Sequence, residues 1–129
     1  MSLRKKCRTY VELDDNSRQA LRLITNDFDR NDWKFYGDHM TVVYGKRFDT
    51  LNLSQNLGDE VKLIGTHLGS SENCIALKVS GFYSFNDIAH VTLLVNQKNN
   101  STPVMSNNIE RWEKLETEIA LYGKLIELY

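Results

Sequence analysis

The sequence predicts an α+β domain with mostly antiparallel sheet, and three observations lead to it. Segments that alternate with period two are interspersed with two of helical periodicity, and one pair of the former is joined by a glycine-containing hairpin connection. The chain has one proline, Pro103, and no Gly/Ser tract or charge block, so residues 1–129 read as a single domain without a linker. A weak internal repeat runs underneath: His39-Met40-Thr41-Val42 leads to Glu60–Gly65, and His90-Val91-Thr92-Leu93 leads to Glu118–Gly123. It predicts two similar halves.

Taken in order, Arg8–Glu12 alternates as a short strand, after which Asp14 or Asp15 caps a helix carrying Leu21, Ile24 and Phe28 on one face. Asp29–Asp32 ends that helix. Asp38–Tyr44 is rich in β-branched and aromatic residues and reads as a strand, and the polar stretch Gly45–Gly58 reads as a loop or short helix. Glu60–His67 and Asn73–Val79 read as strands joined by Leu68-Gly69-Ser70-Ser71. The loop Ser80–Ile88 leads to a third strand, Ala89–Val95, and then to the turn-rich segment Asn96–Ser106. Asn107 with Glu110 resembles a capping box, which predicts a second helix with Ile109, Trp112 and Leu115 as its buried stripe. Glu118–Tyr129 closes the chain as one or two strands.

Composition excludes several classes of function. With 41% hydrophobic and 26% charged residues the chain is neither disordered, collagenous nor membrane-spanning, and no apolar stretch approaches the roughly 18 residues of a span. A net charge of −1 is unsuited to gripping duplex DNA or long RNA by phosphate neutralisation, but leaves a small nucleotide or an RNA end open. The basic run Arg4, Lys5, Lys6 and Arg8 reads as a solvated tail. Cys7 and Cys74 have no metal-ligand spacing and read as reduced thiols; with no apolar signal segment in Met1–Arg8, the cytosol or nucleus is expected.

The chemistry-bearing signal is a recurrence. Of three histidines, His39 and His90 each have threonine two residues on, Thr41 and Thr92, on a predicted strand. With eight threonines in the chain, that coincidence has a chance on the order of 1%. Period two puts His39 and Thr41 on one strand face opposite Met40 and Val42, and puts His90 and Thr92 opposite Val91 and Leu93. Side by side, such strands gather two imidazoles and two hydroxyls around one small cavity. An imidazole titrating near neutrality serves as base or acid, and hydroxyls donate to oxygens that gain charge, which is what phosphodiester cleavage needs without any metal or cofactor. His67, lacking the threonine, reads as structural or exposed. Phe35, Tyr36 and Tyr44 fit core packing better than base stacking, while Lys46, Arg47 and Lys98 fit solvated loop charges as well as phosphate steering.

Two His-x-Thr-x motifs, one in each half of a small α+β domain, resemble the signature of the 2H phosphoesterase superfamily. His90-Val91-Thr92-Leu93 followed by Pro103-Val104-Met105-Ser106-Asn107 is further similar to the cyclic phosphodiesterase domain of plant and fungal-type tRNA ligases and related RNA-repair domains. The resemblance implies two similar lobes with mostly antiparallel sheets around a central cleft, with the two main helices packed outside. It also implies metal-free opening of 2′,3′-cyclic phosphates on RNA ends or nucleotides, to a 2′-phosphate if the tRNA-ligase-like members are the guide. By motif, His39 and His90 become the catalytic pair, and Thr41 and Thr92 the substrate-binding pair. Other members imply a 2′-5′ phosphodiesterase, RNA ligase or cyclic-oligonucleotide hydrolase, and a non-catalytic RNA-end-binding module is the reading from another class.

Overall fold

The computed structural model describes residues 8–26, 32–44, 58–82, 84 and 86–128. Its elements are β1 (Arg8–Leu13), α1 (Asp15–Thr25), β2 (Trp33–Phe35), β3 (His39–Tyr44), β4 (Glu60–Ser70), β5 (Cys74–Ser80), β6 (His90–Asn96) and β7 (Arg111–Leu128). Short 3-10 helices at Gln97–Asn99 and Pro103–Asn108 lie between β6 and β7. Asp14 is the cap of α1, its carboxylate accepting from the Ser17 amide at 2.8 Å. Leu21 is fully buried and Ile24 packs beside it against the core, as their spacing predicts. Phe28, the Asp29–Asp32 stop apart from Asp32, and the stretch 45–57 lie outside the described residues.

Every strand pairing is antiparallel, in the order β2-β6-β3-β1-β7-β4-β5. A further pairing of β5 with β6 closes six of these strands into a barrel, with β2 lying on β6 in line with β3. Closure leaves few sheet edges unpaired and encloses a core that includes Val11, Met40, Val42, Leu63, Leu77, Val91, Leu93, Leu121 and Leu125.

The internal repeat has a structural counterpart. Met40 pairs with Val91, so the first motif lies antiparallel to the second in a register that exchanging the two motifs leaves unchanged. Leu63 likewise pairs with Leu121, and Glu60–Gly65 runs antiparallel to the segment that repeats it. Exchanging β1, β3 and β4 with β5, β6 and β7 preserves every neighbour relation around the ring. Leu63 and Leu121 are both fully buried at this self-paired position. Leu121→Ala is expected to cost about 2–5 kcal/mol of stability, measurable as a fall in the denaturant midpoint.

Two expectations are corrected. Leu68, Gly69 and Ser70 belong to β4 and pair with Leu77, Ala76 and Ile75, so the hairpin turn is tighter and begins at Ser71, whose amide donates to the Cys74 carbonyl. The helix predicted at Asn107–Leu115 is absent: Asn107 lies in the 3-10 helix that ends at Asn108, and Arg111 onward is strand β7, so a single α-helix packs on the barrel among the described residues. The three-residue spacing of Ile109, Trp112 and Leu115 fits a helix stripe, but here it serves two separate clusters. Ile109 and Trp112 pack with Cys74, Ala76 and Val95 outside the barrel, while Leu115 packs against the main core. The ladder from β4 fixes this stretch as strand, overriding a local preference worth tenths of a kcal/mol per residue.

Candidate active site

Burial of Met40 and Val42 on β3, and of Val91 and Leu93 on β6, turns the alternate residues of both strands to the outer surface of the barrel wall. His39, Thr41, His90 and Thr92 therefore stand on one face, across the seam where Met40 meets Val91. All four line a single small cavity of about 90 Å³. The structure thus brings together every residue of the paired motif.

Three segments build its walls. Between β2 and β3 the register against β6 slips, and Gly37 takes a φ of +54° with its amide donating to the Thr92 carbonyl at 2.8 Å. A Cβ there would lie 2.3 Å from the Phe35 ring, so this kink, which sets Asp38 and His39 at the cavity, requires glycine. On the second side the Ser84 hydroxyl donates to the Thr41 carbonyl at 2.8 Å and accepts from the Asn86 amide, fastening the β5–β6 loop onto β3 with Asn86 in the cavity lining. The third wall is the 3-10 helix Pro103–Asn108, anchored by Met105 on the outer cluster and by buried Ser106, whose hydroxyl lies 2.9 Å from that of Thr92.

The two imidazoles are held differently. Nδ1 of His90 lies 2.8 Å from the Ile88 carbonyl, which only accepts, so Nδ1 carries the hydrogen and Nε2 is left as the basic nitrogen. Burial holds the His90 pKa below its ordinary value, and the charge of His39 acts in the same direction, against the opposing pull of the Ile88 hydrogen bond. Nδ1 of His39 instead faces the Asp38 carboxylate at 3.0 Å. Burial raises the Asp38 carboxyl, but its hydrogen bond to His39, the charge of His39, its own backbone amide and Arg18 outweigh that and hold it below the usual range. Asp38 is therefore an anion that accepts from Nδ1 and orients the His39 ring. The Tyr10 ring packs against the His39 ring with centroids 4.5 Å apart. The site thus pairs an imidazole that burial keeps neutral with one oriented by a carboxylate.

The threonines differ too. Thr41 makes no side-chain hydrogen bond to a described residue, whereas Thr92 shares one with Ser106 and a long 3.4 Å contact with the Pro103 carbonyl. The sequence does not single out Asp38, Asn86, Ser106 or Asn107 as site residues; Asp38 had a local signal as the carboxylate directly preceding the first histidine, and Ser106 and Asn107 lie in the segment Pro103–Asn107 that carries the resemblance. Tyr36, read as core, packs on the outer cluster and also lines the cavity. Phe35 packs against the main core under the Arg22 guanidinium. His67 sits half-buried at a β4 irregularity with Nδ1 on Thr66, away from the cavity. Lys98 faces Asp32 at 3.8 Å, also away from it. Lys46, Arg47 and the side chain of Tyr44 lie outside the described residues. Among the described residues no three His, Cys, Asp or Glu side chains gather where they could share a metal ion, and no helix is long and apolar enough to cross a membrane. No family model, curated protein or solved structure matches the chain.

Proposed function

We propose that the protein is a metal-independent cyclic phosphodiesterase of the 2H phosphoesterase type, opening 2′,3′-cyclic phosphates on RNA ends or nucleotides. The observation that supports this is the convergence of both His-x-Thr motifs on one cavity, with the Nδ1 of each histidine already engaged and each Nε2 left for chemistry. In this reading the two register-related halves are the two lobes, and the cavity between the motifs is the base of the cleft.

Nε2 of His90 takes a proton from water as the water oxygen bonds to phosphorus. The bond from phosphorus to the ribose 3′-oxygen breaks roughly in line, and that oxygen takes its proton from Nε2 of His39. The Thr41 and Thr92 hydroxyls donate to the non-bridging oxygens, where charge grows in the transition state. The product is a 2′-phosphate, and proton exchange with solvent returns both imidazoles to their starting forms. The volume of about 90 Å³ suits a phosphate and its reacting oxygens, since it falls well short of the roughly 300 Å³ of a small-molecule pocket.

The test is incubation with a 2′,3′-cyclic mononucleotide and a cyclic-phosphate-ended RNA in excess chelator, with products assigned by phosphorus NMR. A 2′-monoester is expected; tight binding without product would instead support an RNA-end-binding module. The pH profile carries a second expectation. With His90 as base, and its pKa lowered from the ordinary 6.5, kcat/KM rises with pH along a limb whose midpoint lies below 6.5. A midpoint above 6.5 contradicts the assignment of the base.

A further inference from the structure

Next to the cavity, and sharing His90, Asn86 and Asn107 with it, lies a second hollow of about 350 Å³. Its remaining lining includes Asp87, Ile88 and Trp112, and it does not touch His39. Trp112 is built as a platform. Its Nε1 donates to the Ile109 carbonyl at 3.2 Å, and its ring lies over Gly69 of the neighbouring strand, where any Cβ would come within 2.5 Å of it. Two amides and a carboxylate line the hollow with this ring, and among the described residues no lysine or arginine lines it.

We infer that this annex is a subsite for a second nucleobase, so that the substrate is an RNA end of at least two nucleotides rather than a free cyclic mononucleotide. The inference rests on the phosphodiesterase reading and deepens it. Of the pieces an RNA end offers, a phosphate is disfavoured here by Asp87 in a lining whose described residues include no lysine or arginine, whereas a flat neutral group with donors and acceptors on its edge suits an indole and two asparagines. The ribose bearing the cyclic phosphate must lie beside His39, which protonates its departing oxygen. The annex opens instead beside His90, and is free for the neighbouring nucleotide.

The experiment compares kcat/KM for a dinucleotide ending in 2′,3′-cyclic phosphate with that for the matching cyclic mononucleotide. The wild type is expected to favour the dinucleotide about tenfold or more, in keeping with one stacked base. Trp112→Ala removes that preference while the mononucleotide rate stays within about twofold, and Trp112→Phe retains most of it. An arm without mutation uses a dinucleotide whose penultimate residue is abasic, which the wild type should treat as a mononucleotide. A preference that survives in the abasic substrate or in Trp112→Ala overturns the subsite alone. Turnover of neither substrate by the wild type overturns the phosphodiesterase reading beneath it.

Discussion

His90→Ala and His39→Ala are each expected to lower turnover of a 2′,3′-cyclic phosphate by about a hundred- to ten-thousand-fold, the usual range for loss of a general base or acid. The two variants should be distinguishable. His39 hands its proton to the leaving oxygen, so a phosphodiester with a good leaving group, such as a nitrophenyl ester, should recover much of the rate in His39→Ala. His90→Ala lacks the group that activates water and should remain slow on the same ester. The asymmetry follows from the surroundings: a carboxylate at 3.0 Å accepts from Nδ1 of His39, while burial keeps His90 neutral against the pull of its hydrogen bond to the Ile88 carbonyl. Equal recovery in both variants, or recovery only in His90→Ala, would contradict the assigned roles.

The threonines give the second large effect. Removing a donor aimed at a developing oxyanion costs roughly a hundred- to a thousand-fold in kcat, and Thr41→Val and Thr92→Val should each approach that figure. Their stabilities should part company. Thr41 has no described hydrogen-bond partner to abandon, so Thr41→Val is expected to melt like the wild type. Thr92→Val leaves the Ser106 hydroxyl, on a residue 1% exposed, without its 2.9 Å partner, at a cost of about 1–3 kcal/mol. Kinetics and thermal melting on the two variants check both halves of the expectation. Full activity in Thr41→Val would remove that hydroxyl from the phosphate site.

How much of this was legible in the sequence depends on how far each feature's cause lies along the chain. The motif strands were legible because period two is local: Met40, Val42, Val91 and Leu93 announce an apolar face, and the histidines and threonines must take the other. The repeat was visible as well, and the self-paired registers at Met40–Val91 and Leu63–Leu121 give it a geometric meaning. Closure of the barrel was not legible, since it depends on β5 meeting β6 and β1 meeting β7, pairings between segments with no local mark of each other. Strand β7 was illegible for the same reason. Glu110–Glu118 is rich in helix formers behind a capping-box-like start, and only the distant ladder from Gly69 and its neighbours settles it as strand. Within the site, Asp38 had a readable signal as the carboxylate beside His39. Asn86 had none, and Ser106 was marked only as part of the quoted segment Pro103–Asn107, because their places are set by how two loops fold back onto β6 and β3.

Whether water attacks phosphorus at this pair of histidines is read most directly from a single-turnover reaction of a cyclic-phosphate-ended dinucleotide in ¹⁸O-labelled water with excess chelator. Product phosphate would be analysed by mass spectrometry for wild type, His39→Ala and His90→Ala. One labelled oxygen per phosphate is expected in the wild-type product, with formation slowed at least a hundredfold in both variants. Intact, unlabelled substrate in the wild-type reaction, or equal rates in all three proteins, would contradict it.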